Sequence, residues 1–218
     1  MTSTTDRQTV QLGPDGPVVP ALGIGTWSWG DSLFWQYGNG YGPEDVDQAF
    51  KASLSSGISF FDTAEVYGTG KSEKLLGDCM KSTELPVQVA TKYFPLPWRF
   101  MASAVTDAVT ASLERLQVDS IDLYQVHQPF SFLMSQQTLM NTLADEVEKG
   151  RIKTVGVSNY SESQMRQAHK YLGDRGIPLA VNQMQYSLLY RNIEHNGVLN
   201  AAKELGVTIL AYSPLAQG

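Results

Sequence analysis

The sequence predicts an α/β fold in which parallel strands alternate with helices, and within that class a (β/α)8 TIM barrel with about seven of its eight strands present. Three observations carry this reading. Short apolar, β-branched runs recur at intervals of roughly thirty residues, the length of one strand–helix unit. They end at Thr26, Asp62, Thr91, His127, Ser158, Gln183 and Tyr212. Polar residues stand at nearly every one of those ends, as expected where one face of a barrel collects the chemistry. A "VQLGPDGPVVP" segment with a Pro-Asp-Gly turn precedes the first run, and such a hairpin, at about residues 8–20, can plug a barrel's bottom. A flat doubly wound sheet fits the same period; the last two observations favour the barrel. A complete barrel takes eight strands and typically about 250 residues. This chain has 218 residues and reaches Gly218 just after its seventh run. The expectation is one barrel domain over residues 1–218, incomplete at its C-terminal end.

The elements follow in order. "ALGIGT" and "ISFFD" are the first two strands. Gly68 and Gly70 make a turn out of the second, and Ser72 is the expected N-cap of the next helix, whose apolar stripe is Leu75, Leu76, Cys79 and Met80. "VQVAT" is strand three, followed by a helix with Val105, Val109, Ser112, Leu113 and Leu116 on one face. "IDLYQVH" is strand four. "TLADEVEKGRI" and "NAAKELGV" are helices that end where Gly150 and Gly206 suit a C-cap. The charged run "DEVEKGRIK" reads as a solvated helix face. "TVGVS", "LAVNQ" and "VTILAY" complete the strands.

Composition removes several classes. At 42% hydrophobic and 17% charged, the chain is neither disordered nor fibrous. The net charge of −6, with no Lys/Arg run, argues against a nucleic-acid partner. The apolar runs are too short for a membrane span. Cys79 is the one cysteine, which excludes an intrachain disulfide and fits a reducing compartment, the cytoplasm or alternatively the plastid stroma. Three scattered histidines lack metal-ligand spacing, so no metal is expected, and His169 and His195 read as surface residues.

"GTGKS" at Gly68–Ser72 imitates a phosphate-binding loop. The full pattern needs a glycine five residues before Gly70, and Glu65 stands there. A carboxylate would oppose phosphate, so the glycines read as a turn. The residues with chemistry lie before them. In a barrel, Asp62, Lys92 and His127 meet at adjacent strand ends, with Tyr67 in the loop beyond Asp62. A phenol is a weak acid at neutral pH, and a neighbouring ammonium is expected to lower its pKa. The carboxylate keeps the ammonium charged, and an imidazole can donate a hydrogen bond to a carbonyl oxygen. That set suits carbonyl reduction, and it needs a cofactor as hydride donor.

"GIGTW", "FFDTAEVYGTGKSEKLLG", "ATK", "DLYQVH", "VGVSNYS", "VNQMQYSLLYR" and "AYSPLAQG" resemble, in order and spacing, the blocks of the aldo-keto reductase family. The "WSWGDSLFW" loop resembles plant plastid and cyanobacterial members. The resemblance implies Tyr67 as general acid, Lys92 tuning it, Asp62 pairing with Lys92, and His127 orienting the carbonyl. It implies NADP as cofactor. The cofactor-binding positions it implies are Thr26, Trp27, Asp62, Ser158, Asn159 and Gln183, then Tyr212 against the nicotinamide ring, and Ser213, Pro214, Leu215 and Gln217 toward the pyrophosphate. The segment for the 2′-phosphate and adenine is expected to lie beyond this sequence. NADP over NAD is therefore not readable from residues, and the 218-residue chain alone is expected to bind cofactor weakly.

The pocket wall is expected from Trp27, Trp29, Phe34, Trp35 and Tyr37, from Tyr93, Phe94 and Trp98, and from Phe130. Trp29 and Phe34 can equally pack the first loop onto the barrel. The leading expectation is an NADP-dependent reductase turning small aldehydes or ketones into alcohols. Its rivals are a cofactor-binding regulatory subunit with little turnover, and an inactive truncated product. The sequence leaves the substrate and the oligomeric state open, with a monomer the default.

Overall fold

The computed structural model describes residues 8–131 and 133–216. Its strands are β1 (Thr9–Gln11), β2 (Val18–Pro20), β3 (Ile24–Gly25), β4 (Phe60–Asp62), β5 (Gln88–Tyr93), β6 (Ile121–Val126), β7 (Ile152–Ser158), β8 (Leu179–Gln185) and β9 (Thr208–Tyr212). Its α-helices are α1 (Pro43–Ser55), α2 (Lys71–Met80), α3 (Ala102–Leu116), α4 (Gln136–Glu148), α5 (Glu162–Gly173) and α6 (Val198–Leu205). Strands β3 to β9 form one parallel sheet in chain order, each joined to the next through a helix. This is the nearly closed α/β barrel of the TIM type that the strand spacing predicts. The strand ends agree to within two residues, and the one that matters is Lys92. It lies inside β5 and is fully buried, not solvated past the strand's end.

Period-two alternation sorts each strand into an outer and an inner row. Outward residues such as Phe61, Val89, Tyr124, Val155 and Val157 pack against the helices in one large core. Helices α2 and α3 bury Leu76, Cys79, Val105, Val109 and Leu116 there, as their spacing requires. Inward residues form a smaller core at the N-terminal end of the barrel. Phe60, Ala90, Leu123 and Val181, with Ala180 at a register shift in β8 that interrupts the alternation, enclose Leu12 and Val19 of the β1–β2 hairpin. The hairpin is thus the plug expected of it. It is tied to the barrel by Gly13 N to Thr208 Oγ1 at 2.9 Å and by Gln88 Nε2 to Val18 O at 2.6 Å.

Two local expectations are corrected. Ser72 does not cap α2, which begins at Lys71 after a left-handed Gly70. Its hydroxyl is buried and bonded to Thr26 and Thr63, so the capping geometry is lost to a better-satisfied interior site. The "DEVEKGRIK" run is not wholly solvated. Glu146 is fully buried, bonded by Thr106 and paired with Lys149 and Arg151, because its helix face turns onto α3 and the start of β7.

Truncating the plug tests this assembly. Leu12→Ala removes a side chain that is 1% exposed. It is expected to destabilise the fold by about 2–5 kcal/mol, read as a lower urea midpoint with an unchanged slope.

Candidate active site

The inner row changes character toward the C-terminal end of the barrel. Above the apolar layer stand Asp62, Lys92, Gln125, Ser158 and Gln183, from β4, β5, β6, β7 and β8 respectively. Asp62 is the hub. Its Oδ1 accepts from Lys92 Nζ, and its Oδ2 accepts from Gln125 Nε2 at 3.2 Å and Gln183 Nε2 at 2.9 Å. Lys92 Nζ also donates to Thr63 O at 2.8 Å. Burial works against the ammonium's charge, but the Asp62 carboxylate and the Tyr67 oxygen outweigh it and raise its pKa. Gly156 makes room for this hub. A Cβ there would come within 3.0 Å of Gln125 Cγ and 3.3 Å of Val181 Cβ.

Tyr67 opens a short 3-10 turn, Tyr67–Gly70. Gly68, Thr69 and Gly70 all have positive φ, and the glycines also avoid close contacts. A Cβ on Gly68 would meet Gly30 O at 2.7 Å, and one on Gly70 would meet Arg115 Cδ at 2.8 Å. The glycines that imitate a phosphate loop therefore fold a tight turn onto its neighbours. The turn places the Tyr67 ring 5.1 Å from Lys92 Nζ and against the ring of His127. Burial raises the phenol's pKa, and Lys92 offsets that only in part. The sequence predicts a net lowering; enclosure wins instead, and Tyr67 stands as a neutral phenol.

His127 directly follows β6. Burial pushes its pKa down to about 3, with the Lys92 charge adding to the effect. The imidazole is therefore neutral at physiological pH. On the other wall, Asn159 sits in the left-handed region with φ 62°. Its Oδ1 accepts from Tyr212 OH at 2.9 Å, and its Nδ2 donates to Ser158 Oγ at 3.0 Å. Buried Asn182, facing the helices, exchanges hydrogen bonds with the Tyr160 backbone and pins this turn.

Asp62, Tyr67, His127, Ser158, Asn159, Gln183 and Tyr212 line a cavity of about 380 Å³, together with Trp27, Ser28, Trp35, Gln128 and Ser213, and Lys92 lies buried behind them. Trp27 stacks on Tyr67 with ring centroids 6.1 Å apart and takes Trp35 edge-on at 5.5 Å. The structure thus brings together Asp62, Tyr67, Lys92 and His127 with Trp27, Ser158, Asn159, Gln183, Tyr212 and Ser213.

Other expected residues lie elsewhere. Thr26 turns its hydroxyl away from the cavity into the buried cluster with Ser72 and the Asp62 carbonyl. Pro214 faces a separate hollow between β9 and the hairpin, and Leu215 projects outward at 82% exposure. Gln217 lies outside the described residues. Trp29, Tyr37 and Tyr93 are core residues, whereas Phe34 and Trp98 stay largely exposed.

Sequence reasoning missed Gln125, Ser28 and Gln128. Gln125 was findable, since it stands two residues before His127 in a strand and so shares the inward row with Leu123. Ser28 and Gln128 lie on loops and carry no such signal.

A model of the aldo/keto reductase family matches residues 21–218. The chloroplastic pyridoxal reductase of Arabidopsis thaliana is 39% identical over 97% of this chain and 60% of its own length. The 6-dehydroglucose reductase of Novosphingobium aromaticivorans is 34% identical over 95% of this chain and 69% of its own. An aldo-keto reductase from Klebsiella pneumoniae, solved in complex with NADPH, superposes with a TM-score of 0.80 at 30% identity, covering 98% of this chain and 70% of that one. The chain spans about 60% of the length of the first curated relatives it matches.

The depressed pKa of His127 has a consequence for stability. Between about pH 6.5 and 3 the unfolded chain binds a proton at this residue and the folded chain does not. Stability then falls as pH drops through that window, by at most about 1.4 kcal/mol per unit from this group. In urea unfolding at pH 7, 5.5 and 4.5, His127→Gln is expected to lose less stability on acidification than the parent. Parallel losses in both would mean that the imidazole is not held neutral by the fold.

Proposed function

The chain belongs to the aldo/keto reductase family, and on that premise we propose that it reduces aldehydes or ketones to alcohols, with NADPH as hydride donor and Tyr67 as general acid. The observation that carries the proposal is a neutral phenol and a neutral imidazole facing one cavity, backed by a buried, carboxylate-paired ammonium.

A carbonyl oxygen in this cavity would lie between the Tyr67 hydroxyl and the His127 ring. His127, being neutral, polarises it by hydrogen bonding without surrendering a proton. NADPH, when bound, supplies the hydride to the carbonyl carbon. The C=O electron pair moves to oxygen, which takes the proton from Tyr67. The resulting phenolate is stabilised by Lys92, and Asp62 keeps Lys92 charged. Solvent then reprotonates the phenol.

The donor set also fits the nicotinamide. The amides of Asn159 and Gln183 and the hydroxyl of Ser158 suit a carboxamide, and the half-buried Tyr212 offers a ring face. NADP as cofactor is further supported by the Klebsiella pneumoniae neighbours, solved with NADPH and with NADP. The aromatic wall of Trp27 and Trp35 suits a flat ring, and pyridoxal, named in the Arabidopsis relative, belongs first in a substrate panel.

The direct test follows NADPH oxidation by the full chain with pyridoxal and simple aldehydes. Tyr67→Phe is expected to lower kcat by about 100-fold or more, with NADPH binding retained in a fluorescence titration. Full activity in that variant would remove Tyr67 as the acid.

A further inference from the structure

A histidine ring is commonly oriented by a hydrogen bond on one of its nitrogens. The buried Nδ1 of His127 has no hydrogen-bond partner among the described residues. Its backbone is fixed, through His127 N to Tyr93 O at 2.9 Å and Asn159 Nδ2 to His127 O at 3.3 Å. The ring is held by packing. Tyr67 meets it edge-on at 5.6 Å, and Phe94 meets it at 5.4 Å. The orientation of a group facing the cavity thus depends on where Phe94 is placed.

Phe94 lies just past β5, where no strand ladder fixes it. Glu65, in the loop before Tyr67, does so instead. Its carboxylate is 7% exposed. Oε1 accepts from Phe94 N at 2.6 Å and from Arg99 Nη1, and Oε2 accepts from Arg99 Nη2 at 3.1 Å. Arg99 Nη1 in turn donates to Phe94 O at 3.1 Å. The ion pair therefore grips residue 94 by both its N–H and its C=O. The guanidinium itself rests 5.1 Å from the Tyr93 ring centroid. The rigid planar fork of a guanidinium matches both carboxylate oxygens while it reaches a third acceptor, a geometry that the compact ammonium of a lysine does not reproduce.

We propose that Glu65 and Arg99 are positioning residues for the His127 imidazole, acting through Phe94. The inference rests on the reading of His127 given above as the group that meets the carbonyl.

The experiment uses the full chain with NADPH and an aldehyde, comparing Arg99→Lys, Arg99→Gln, Phe94→Leu and the double variant Arg99→Gln/Phe94→Leu. Both single changes at Arg99 are expected to lower kcat about tenfold, while NADPH affinity stays within about twofold. The double variant is expected to fall no further than Phe94→Leu alone, since both act along one route. The His127 ring signals in NMR spectra are expected to move in Arg99→Lys, which keeps a charge at the site and tests the proposal even if Arg99→Gln fails to fold. Unchanged kcat and unchanged His127 signals in Arg99→Lys would overturn the proposal. So would losses that multiply in the double variant. If the parent shows no turnover with any carbonyl, the functional reading fails, and the His127 signals in Arg99→Lys still decide the structural one.

Discussion

A lysine ammonium wholly out of contact with water sits at the mouth of this barrel, and the Asp62 carboxylate beside it is the constraint that the rest of the site obeys. Each buried ion costs several kcal/mol to desolvate, and a lone one is worse than none. Asp62 answers the charge with one oxygen and must satisfy the other. Gln125 and Gln183 do this from two further strands, and Gly156 leaves room for Gln125, since a Cβ there would crowd its Cγ at 3.0 Å. Setting the strands in register and assembling the polar cluster are therefore one event. A slip of one residue in β5, β6 or β8 would turn a donor outward and leave the carboxylate short.

The same ammonium acts on what lies in front of it. It adds to the enclosure that keeps His127 unprotonated and resists the enclosure that raises Tyr67. The cavity thus presents two uncharged hydrogen-bonding groups while the charge that governs them is stored behind, already paired. A cavity built this way can take in a neutral polar group without desolvating a free ion, and it answers a developing negative charge with an ammonium already in place.

Much of this was legible in the chain. Strand spacing gave the barrel, and polar residues at strand ends gave Asp62, Lys92 and His127. The failures have physical causes. Thr26 sits at a strand end like the others, but the neighbouring Ser72 hydroxyl and the Asp62 carbonyl offer it better partners than the cavity does. Glu146 reads as a surface charge because sequence gives its helix position but not the crossing of α4 over α3, which brings Thr106 to it. The fork of Arg99 onto Glu65 spans two loops, where no periodicity operates. Glu65 drew notice only as the residue that spoils a phosphate loop.

The hairpin joins parts of the chain that are far apart in sequence: Gly13 bonds Thr208. Loop closure over such a span is entropically slow, and contacts of this kind form after local ones. The hairpin, synthesised before β9, is thus among the last elements to find its partners. Until β9 arrives, the apolar faces of Leu12 and Val19 have no finished barrel to enter, and the nascent chain must carry them unburied.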